Sequence, residues 1–213
     1  MENLRFLNEK KEIRGVELLF FLYDDAVKTL LDSEWEEICR YMERFIFTAH
    51  LPGLLLPSHD KLIARLCPMV RHFIVHPPID NIEDQARLLS GWIDRYGASF
   101  LVENTQGGLL ESLLSKMGAA IGVCLDTGHL LLEGKNPAEF FANYRERIGE
   151  IHLHGIDHEQ AAIDGKLVDH RRLLGKESWL LELFPLLVDY NGILNMEMFS
   201  WEEVETSIKN IPY

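Results

Sequence analysis

Five side chains recur along the sequence at nearly equal intervals. His50, His76, Glu103, Asp126 and His152 are separated by 26, 27, 23 and 26 residues, and each closes an apolar run. Others cluster beside them: His129 in DTGH, His154 in IHLHG, the adjacent pair Asp169-His170, and Glu197 in NMEMF. Imidazoles mixed with carboxylates, without thiolates, suit Zn²⁺, Mn²⁺, Fe²⁺ or Co²⁺ rather than Ca²⁺ or Mg²⁺. His50, His76, Glu103, Asp126, His129, His152, Asp169, His170 and Glu197 are more donors than one ion uses, since a single ion takes about four to six. The set therefore predicts two or three divalent ions (Zn, Mn or Fe). Such a cluster is the chemistry of phosphoester cleavage, in which one ion generates hydroxide and others hold the phosphate and the leaving oxygen. In that chemistry Glu103 is the candidate to orient the water or take its proton, and His154, Arg171 and Arg172 are candidates to contact substrate.

Each residue alone has a plainer explanation. A single histidine at a strand end is commonly a hydrogen-bonded core residue. Glu103 beside Asn104 can cap a helix, and Asp126-Thr127-Gly128 can be a turn. The repetition across successive units carries the argument, because burying several carboxylates and imidazoles together is costly without a cation to compensate them.

The elements that position these residues read as alternating strands and helices. Strand candidates cover 15–22, 44–51, 70–77, 98–105, 119–127, 148–155 and 192–199, each near-continuously apolar as in strands buried on both faces of a parallel sheet. Residues 80–96 read as an amphipathic helix capped by Asp80. Asn136-Pro137-Ala138-Glu139 starts another helix, and Ser200 with Glu203 forms a capping box for the last. Alternation of this kind gives a parallel α/β fold, and no glycine-rich nucleotide fingerprint follows any strand. The expected architecture is a (β/α)8 TIM barrel occupying 1–213 as one domain, with the ligands on the carboxyl-end rim where such barrels place their sites. Only seven strands can be counted. MENLRFL reads as the end of a helix, so the opening strand is missing, as a truncation or a misplaced start codon would leave it. Such an open edge predicts dimerisation or poor solution behaviour.

Composition narrows the partners. The net charge of −13 argues against a nucleic-acid polymer as substrate, because such binding draws on lysines and arginines, and His170-Arg171-Arg172 is the one basic cluster. The N-terminal residues lack the apolar core of a signal peptide, and no run of 18 apolar residues exists, so a membrane partner is not expected. Three cysteines without CxxC spacing suit a reducing cytoplasm and exclude a cysteine-based zinc site.

LVENTQGG, GVCLDTGHLLLEG, IHLHG, the pair 169–170 and NMEMF, together with His50 and His76, resemble the xylose-isomerase-like TIM barrel superfamily, from residue 15 onward. This superfamily includes endonuclease IV, sugar isomerases and epimerases, and inosose dehydratases. The resemblance implies two alternatives. A sugar isomerase or epimerase would hold one ion with Glu103, Asp126, His152 or His154, and Glu197, the glutamates doubling as acid and base. The endonuclease-IV-like branch adds His50, His76, His129 and an Asp-x-His pair for a three-zinc site. Here that pair is adjacent, which puts the third position in doubt. The retained histidines favour a phosphodiesterase. The shortness and acidity of the chain favour a small-molecule phosphodiester over abasic DNA. VELLFFLYDD, TAHLP, DHRRLL and LNMEMFSWEEVETSI resemble the cobamide-remodelling phosphodiesterases, which cleave the nucleotide loop of a corrinoid. The expectation is thus a metal-dependent phosphodiesterase. The alternatives are a one-metal sugar isomerase or epimerase, a DNA-repair endonuclease, and a degenerate barrel that binds without reacting.

Overall fold

The computed structural model describes residues 2–105, 109–157 and 168–211. Gln106-Gly107-Gly108 of the LVENTQGG segment lie outside them. An α-helix, Glu2–Asn8, precedes seven strands: β1 (Gly15–Leu19), β2 (Ile46–His50), β3 (Val70–Val75), β4 (Phe100–Glu103), β5 (Gly122–Asp126), β6 (Ile148–His152) and, late in the chain, Ile193–Asn195. They form one sheet in chain order, as right-handed strand–helix–strand repetition produces. All seven expected strands are present, each shorter than its apolar run. His76, His154 and Glu197 therefore fall one or two residues beyond a strand end. Two short strands outside that sheet, β7 (Gly155–Asp157) and β8 (Val168–Arg171), pair antiparallel. They carry no apolar alternation and were not expected.

The chain comprises two compact units, Met1–Val102 with Gly108–Gly122, and Glu103–Gly107 with Val123–Tyr213. In the first, Phe73 and Phe100 stack with ring centroids 5.3 Å apart, and Trp92 from the helix Ile82–Tyr96 lies over Phe100 at 6.1 Å. These rings are almost wholly buried and anchor the helix to the sheet. Asp60, opening the helix Asp60–Leu66, accepts hydrogen bonds from Trp92 Nε1 (3.1 Å), Arg95 Nη1 (2.6 Å) and the Tyr96 hydroxyl (2.8 Å). It is thus the acceptor that joins two helices. Asp60→Ala leaves the buried indole N–H without a partner and should lower stability by about 1–3 kcal/mol, read by urea unfolding. Asp60→Asn keeps an acceptor and should lose less.

The expected caps are realised unevenly. Asn136 accepts from Ala138 N at 2.8 Å with Pro137 behind it, as its motif requires. Asp80 does not cap Ile82–Tyr96. The residue at that position is Asn81, whose left-handed backbone (φ 58°) makes no side-chain cap bond. Asparagine is among the few non-glycine residues that tolerate this region. Ser200 occupies the cap position of Trp201–Asn210 but makes no side-chain bond, so the expected capping box does not form. Glu203, its intended partner, lies 3.9 Å from Arg171 Nη1 instead.

Candidate metal centre

In the second unit the motif residues first fix one another. Asn104 Nδ2 donates to the Asp126 carbonyl at 2.9 Å, and its Oδ1 accepts the Asp126 N–H at 2.8 Å. The side chain thus imitates a strand neighbour and holds Asp126 at the end of β5. The Thr127 hydroxyl accepts the His154 N–H at 3.0 Å and lies 2.7 Å from the His154 carbonyl and 3.1 Å from that of His152. Asp126 itself caps the helix Thr127–Leu132, its Oδ1 accepting the His129 N–H at 2.6 Å. Oδ1 of Asp126 thus serves the turn of DTGH, while Oδ2 lies beside His154 and His152. Asn104 and Thr127 position the site without being titratable. Their only sequence signal was adjacency to Glu103 and Asp126.

Glu103, Asp126, His152 and Glu197 each offer one donor atom, and these four atoms lie within 4.8 Å of one another. His152 Nδ1 is 2.9 Å from Glu197 Oε2, 3.7 Å from Glu103 Oε1 and 4.0 Å from Asp126 Oδ2. Glu103, Asp126 and His152 are essentially inaccessible, and Glu197 retains 11% side-chain exposure. The 2.9 Å approach of Glu197 Oε2 lacks hydrogen-bond geometry, and among the described residues that buried oxygen has no hydrogen bond. Four donor atoms of this chemistry drawn together at one point are what a cation requires. Edges of about 3.0–3.4 Å are expected around an ion bound at roughly 2.1 Å. Three carboxylates and one imidazole also carry more buried negative charge than they can neutralise among themselves. The set has the chemistry to hold a divalent ion, its separations of 3.7 and 4.0 Å being wider than those edges.

Without a cation, the groups distort one another's titration. Burial pushes the Asp126 carboxyl up, with His154 opposing it. Burial works in the same direction on Glu197, but the His152 imidazole outweighs it and holds the carboxyl down at about 2. Burial would lower His129, yet Glu103, Asp126 and Asp169 together raise it to about 9.

The remaining candidates fall into three groups. His129, Asp169 and His170 form a second, more open cluster, with His129 Nε2 3.7 Å from Asp169 Oδ2 and His170 Nε2 3.8 Å from Asp169 Oδ1. Adjacent residues of a regular strand point to opposite faces. Asp169 and His170 share a face because β8 bulges against β7, with His170 in the left-handed region at φ 52°. His154 is fully buried, its Nε2 3.0 Å from Asp126 Oδ2 and its Nδ1 accepting the His170 N–H at 2.9 Å. Both nitrogens are occupied within the protein, so this ring is not placed to contact substrate as expected. Arg171 ends β8 rather than lying in a loop, within 3.9 Å of Asp157 and Glu203, and Arg172 is exposed. In the first unit, His50 and His76 lie side by side with ring centroids 4.8 Å apart. Phe21 lies against His50 at 5.0 Å, and His50 Nδ1 is 3.1 Å from the Leu51 carbonyl.

No protein-family model matches the sequence, and no curated protein sequence does. Solved structures do. The probable 3-DHS dehydratase AsbF of Bacillus anthracis, involved in petrobactin synthesis, matches with a TM-score of 0.71 at 13% identity, over 98% of this chain and 91% of its own. The 3-keto-D-glucoside 4-epimerase YcjR of E. coli matches at 0.64 and 14%, over 98% and 91%. An L-ribulose 3-epimerase matches at 0.64 and 16%, over 94% of this chain and 76% of its own. The chain therefore shares the TIM-barrel fold of these proteins, here with seven parallel strands. The likeness to cobamide-remodelling phosphodiesterases gains no support from these matches. Among the described residues no helix is long and apolar enough to cross a membrane.

Proposed function

We propose that this protein is a metal-dependent isomerase or epimerase acting on a small polyhydroxylated carbonyl compound. The observation that carries the reading is the buried set Glu103, Asp126, His152 and Glu197, whose single donor atoms converge as one divalent ion requires. The names of the structural neighbours, two epimerases and a dehydratase, support this reading over phosphoester cleavage. When bound, the cation supplies charge stabilisation to a carbonyl oxygen that becomes more negative as the adjacent carbon loses its proton. The chain's own groups do the rest. One of Glu103 and Glu197 takes the proton from that carbon, and the other returns a proton to the opposite face. His129, Asp169 and His170, each part-exposed, offer donors and acceptors to substrate hydroxyls.

A metal-dependent phosphodiesterase remains the second reading, favoured by the further cluster His129, Asp169, His170, which a one-ion isomerase does not need. Elemental analysis decides the ion count, and two probes decide the chemistry. About one ion per chain, with deuterium from solvent entering L-ribulose or a 3-keto-D-glucoside, is the expected result. Two or three ions, with hydrolysis of bis(p-nitrophenyl) phosphate that His76→Ala cripples, would replace the isomerase with the esterase.

A further inference from the structure

We propose that His154 is a positioning residue: it neither ligates the cation nor touches substrate, but holds the Asp126 carboxylate in its ligating orientation. The inference rests on the one-cation reading above. Three features fix this ring. The His170 N–H donates to Nδ1 at 2.9 Å, so Nδ1 is an acceptor and the ring proton resides on Nε2. Nε2–H then donates to Asp126 Oδ2 at 3.0 Å. Oδ2 is the oxygen that faces His152, because Oδ1 is taken by the His129 N–H. The His170 amide reaches His154 from a bulged strand with His170 in the left-handed region, where a non-glycine residue carries a conformational cost. The rings of His154 and His170 also stack, with centroids 4.3 Å apart and planes 20° from parallel.

The third feature is Gly128. A Cβ on Gly128 would overlap the Cε1 and Nδ1 atoms of His154, so the glycine of DTGH clears the seat of this ring. Two segments far apart in sequence, DTGH and IHLHG, are thereby locked together through a ring with no exposed surface. A ligating carboxylate oxygen that also accepts a hydrogen bond from a fixed ring keeps its orientation when the cation leaves. Such partners typically contribute about 10–100-fold to metal affinity.

The test is Mn²⁺ titration of metal-stripped protein, followed by electron-spin-echo detection of imidazole nitrogen bound to Mn²⁺. His154→Ala should bind Mn²⁺ about 10–100-fold more weakly. His154→Gln, whose amide N–H₂ replaces the Nε2–H donor, should stay within a few-fold of the parent. Gly128→Ala should reproduce the loss and keeps the inference testable should His154→Ala fail to fold. The imidazole signal should persist in His154→Gln and vanish in His152→Gln. Two results overturn the inference while leaving the isomerase reading intact: unchanged affinity in His154→Ala or Gly128→Ala, or loss of both affinity and a nitrogen signal in His154→Gln, which would make His154 a ligand. Parent protein that takes up no Mn²⁺ or Zn²⁺ would overturn both together.

Discussion

Glu103→Gln is expected to remain folded and to lose about 10²–10⁴-fold in interconversion of its carbonyl substrate at saturating Mn²⁺, the range a positioned acid or base contributes. The substitution is nearly isosteric, and Glu103 is 1% exposed, so packing around it is preserved. Removing one charge from a cluster of three carboxylates also relieves repulsion in the metal-free protein. What is lost is a proton acceptor beside the ion. Glu197→Gln should behave alike, and comparing the two variants gives a sharper result than either alone. If each glutamate serves one face of the substrate, each single variant loses interconversion. Solvent deuterium exchange should then survive only in the epimer whose proton faces the remaining glutamate, and the double variant should lose exchange in both. Interconversion undiminished in Glu103→Gln would remove Glu103 from the mechanism, and exchange surviving in both epimers would end the two-base assignment.

The donor set was legible in the sequence for a simple reason. A parallel strand–helix repeat of some 26 residues delivers every strand's carboxyl end to one rim, so a ligand-capable residue at each run's end is a pattern rather than a coincidence. Glu103, Asp126, His152 and Glu197 follow from that pattern and do converge. What was not legible depends on backbone conformation and on the non-titratable side chains. The hairpin of β7 and β8 is too short to show alternation. The left-handed conformation of His170 has no signature when the residue is not glycine, yet with the bulge of β8 it puts Asp169 and His170 on one face. Asn104 and Thr127 act through hydrogen bonds to main chain, which neither charge nor periodicity reveals. The leaning toward a multi-ion esterase came from counting His50, His76, His129, Asp169 and His170 as ligands beside the four. For His154, expected at the substrate, both ring nitrogens have partners within the protein, and a position in the sequence cannot register that.

Cation binding should be strongly coupled to pH through His129. Its Nδ1 lies 3.2 Å from Glu103 Oε1 and 3.6 Å from Asp126 Oδ2, so the imidazolium places positive charge where a divalent ion would place its own. Burial opposes that charge, but the Glu103, Asp126 and Asp169 carboxylates prevail and raise the group to about 9. At pH 7 the metal-free protein therefore carries this proton, and the incoming ion must expel it. Mn²⁺ binding should release close to one proton per ion at pH 7. Its affinity should rise about tenfold per pH unit up to the raised pKa and level off beyond it. His129→Gln should abolish that slope and tighten binding at pH 7 by as much as roughly 100-fold, the cost of a proton held about two units too firmly. Stability of the metal-free protein should show the same group with the opposite sign. A raised histidine contributes fully below its unfolded value of about 6.5, and that contribution disappears as pH rises through about 9. Thermal unfolding without metal should thus shift to lower temperature across this window, while the Mn²⁺-loaded protein, already relieved of the proton, should not. Mn²⁺ affinity that is flat between pH 7 and 9 would mean that His129 does not compete with the cation, and would detach it from the charge balance of the four ligands.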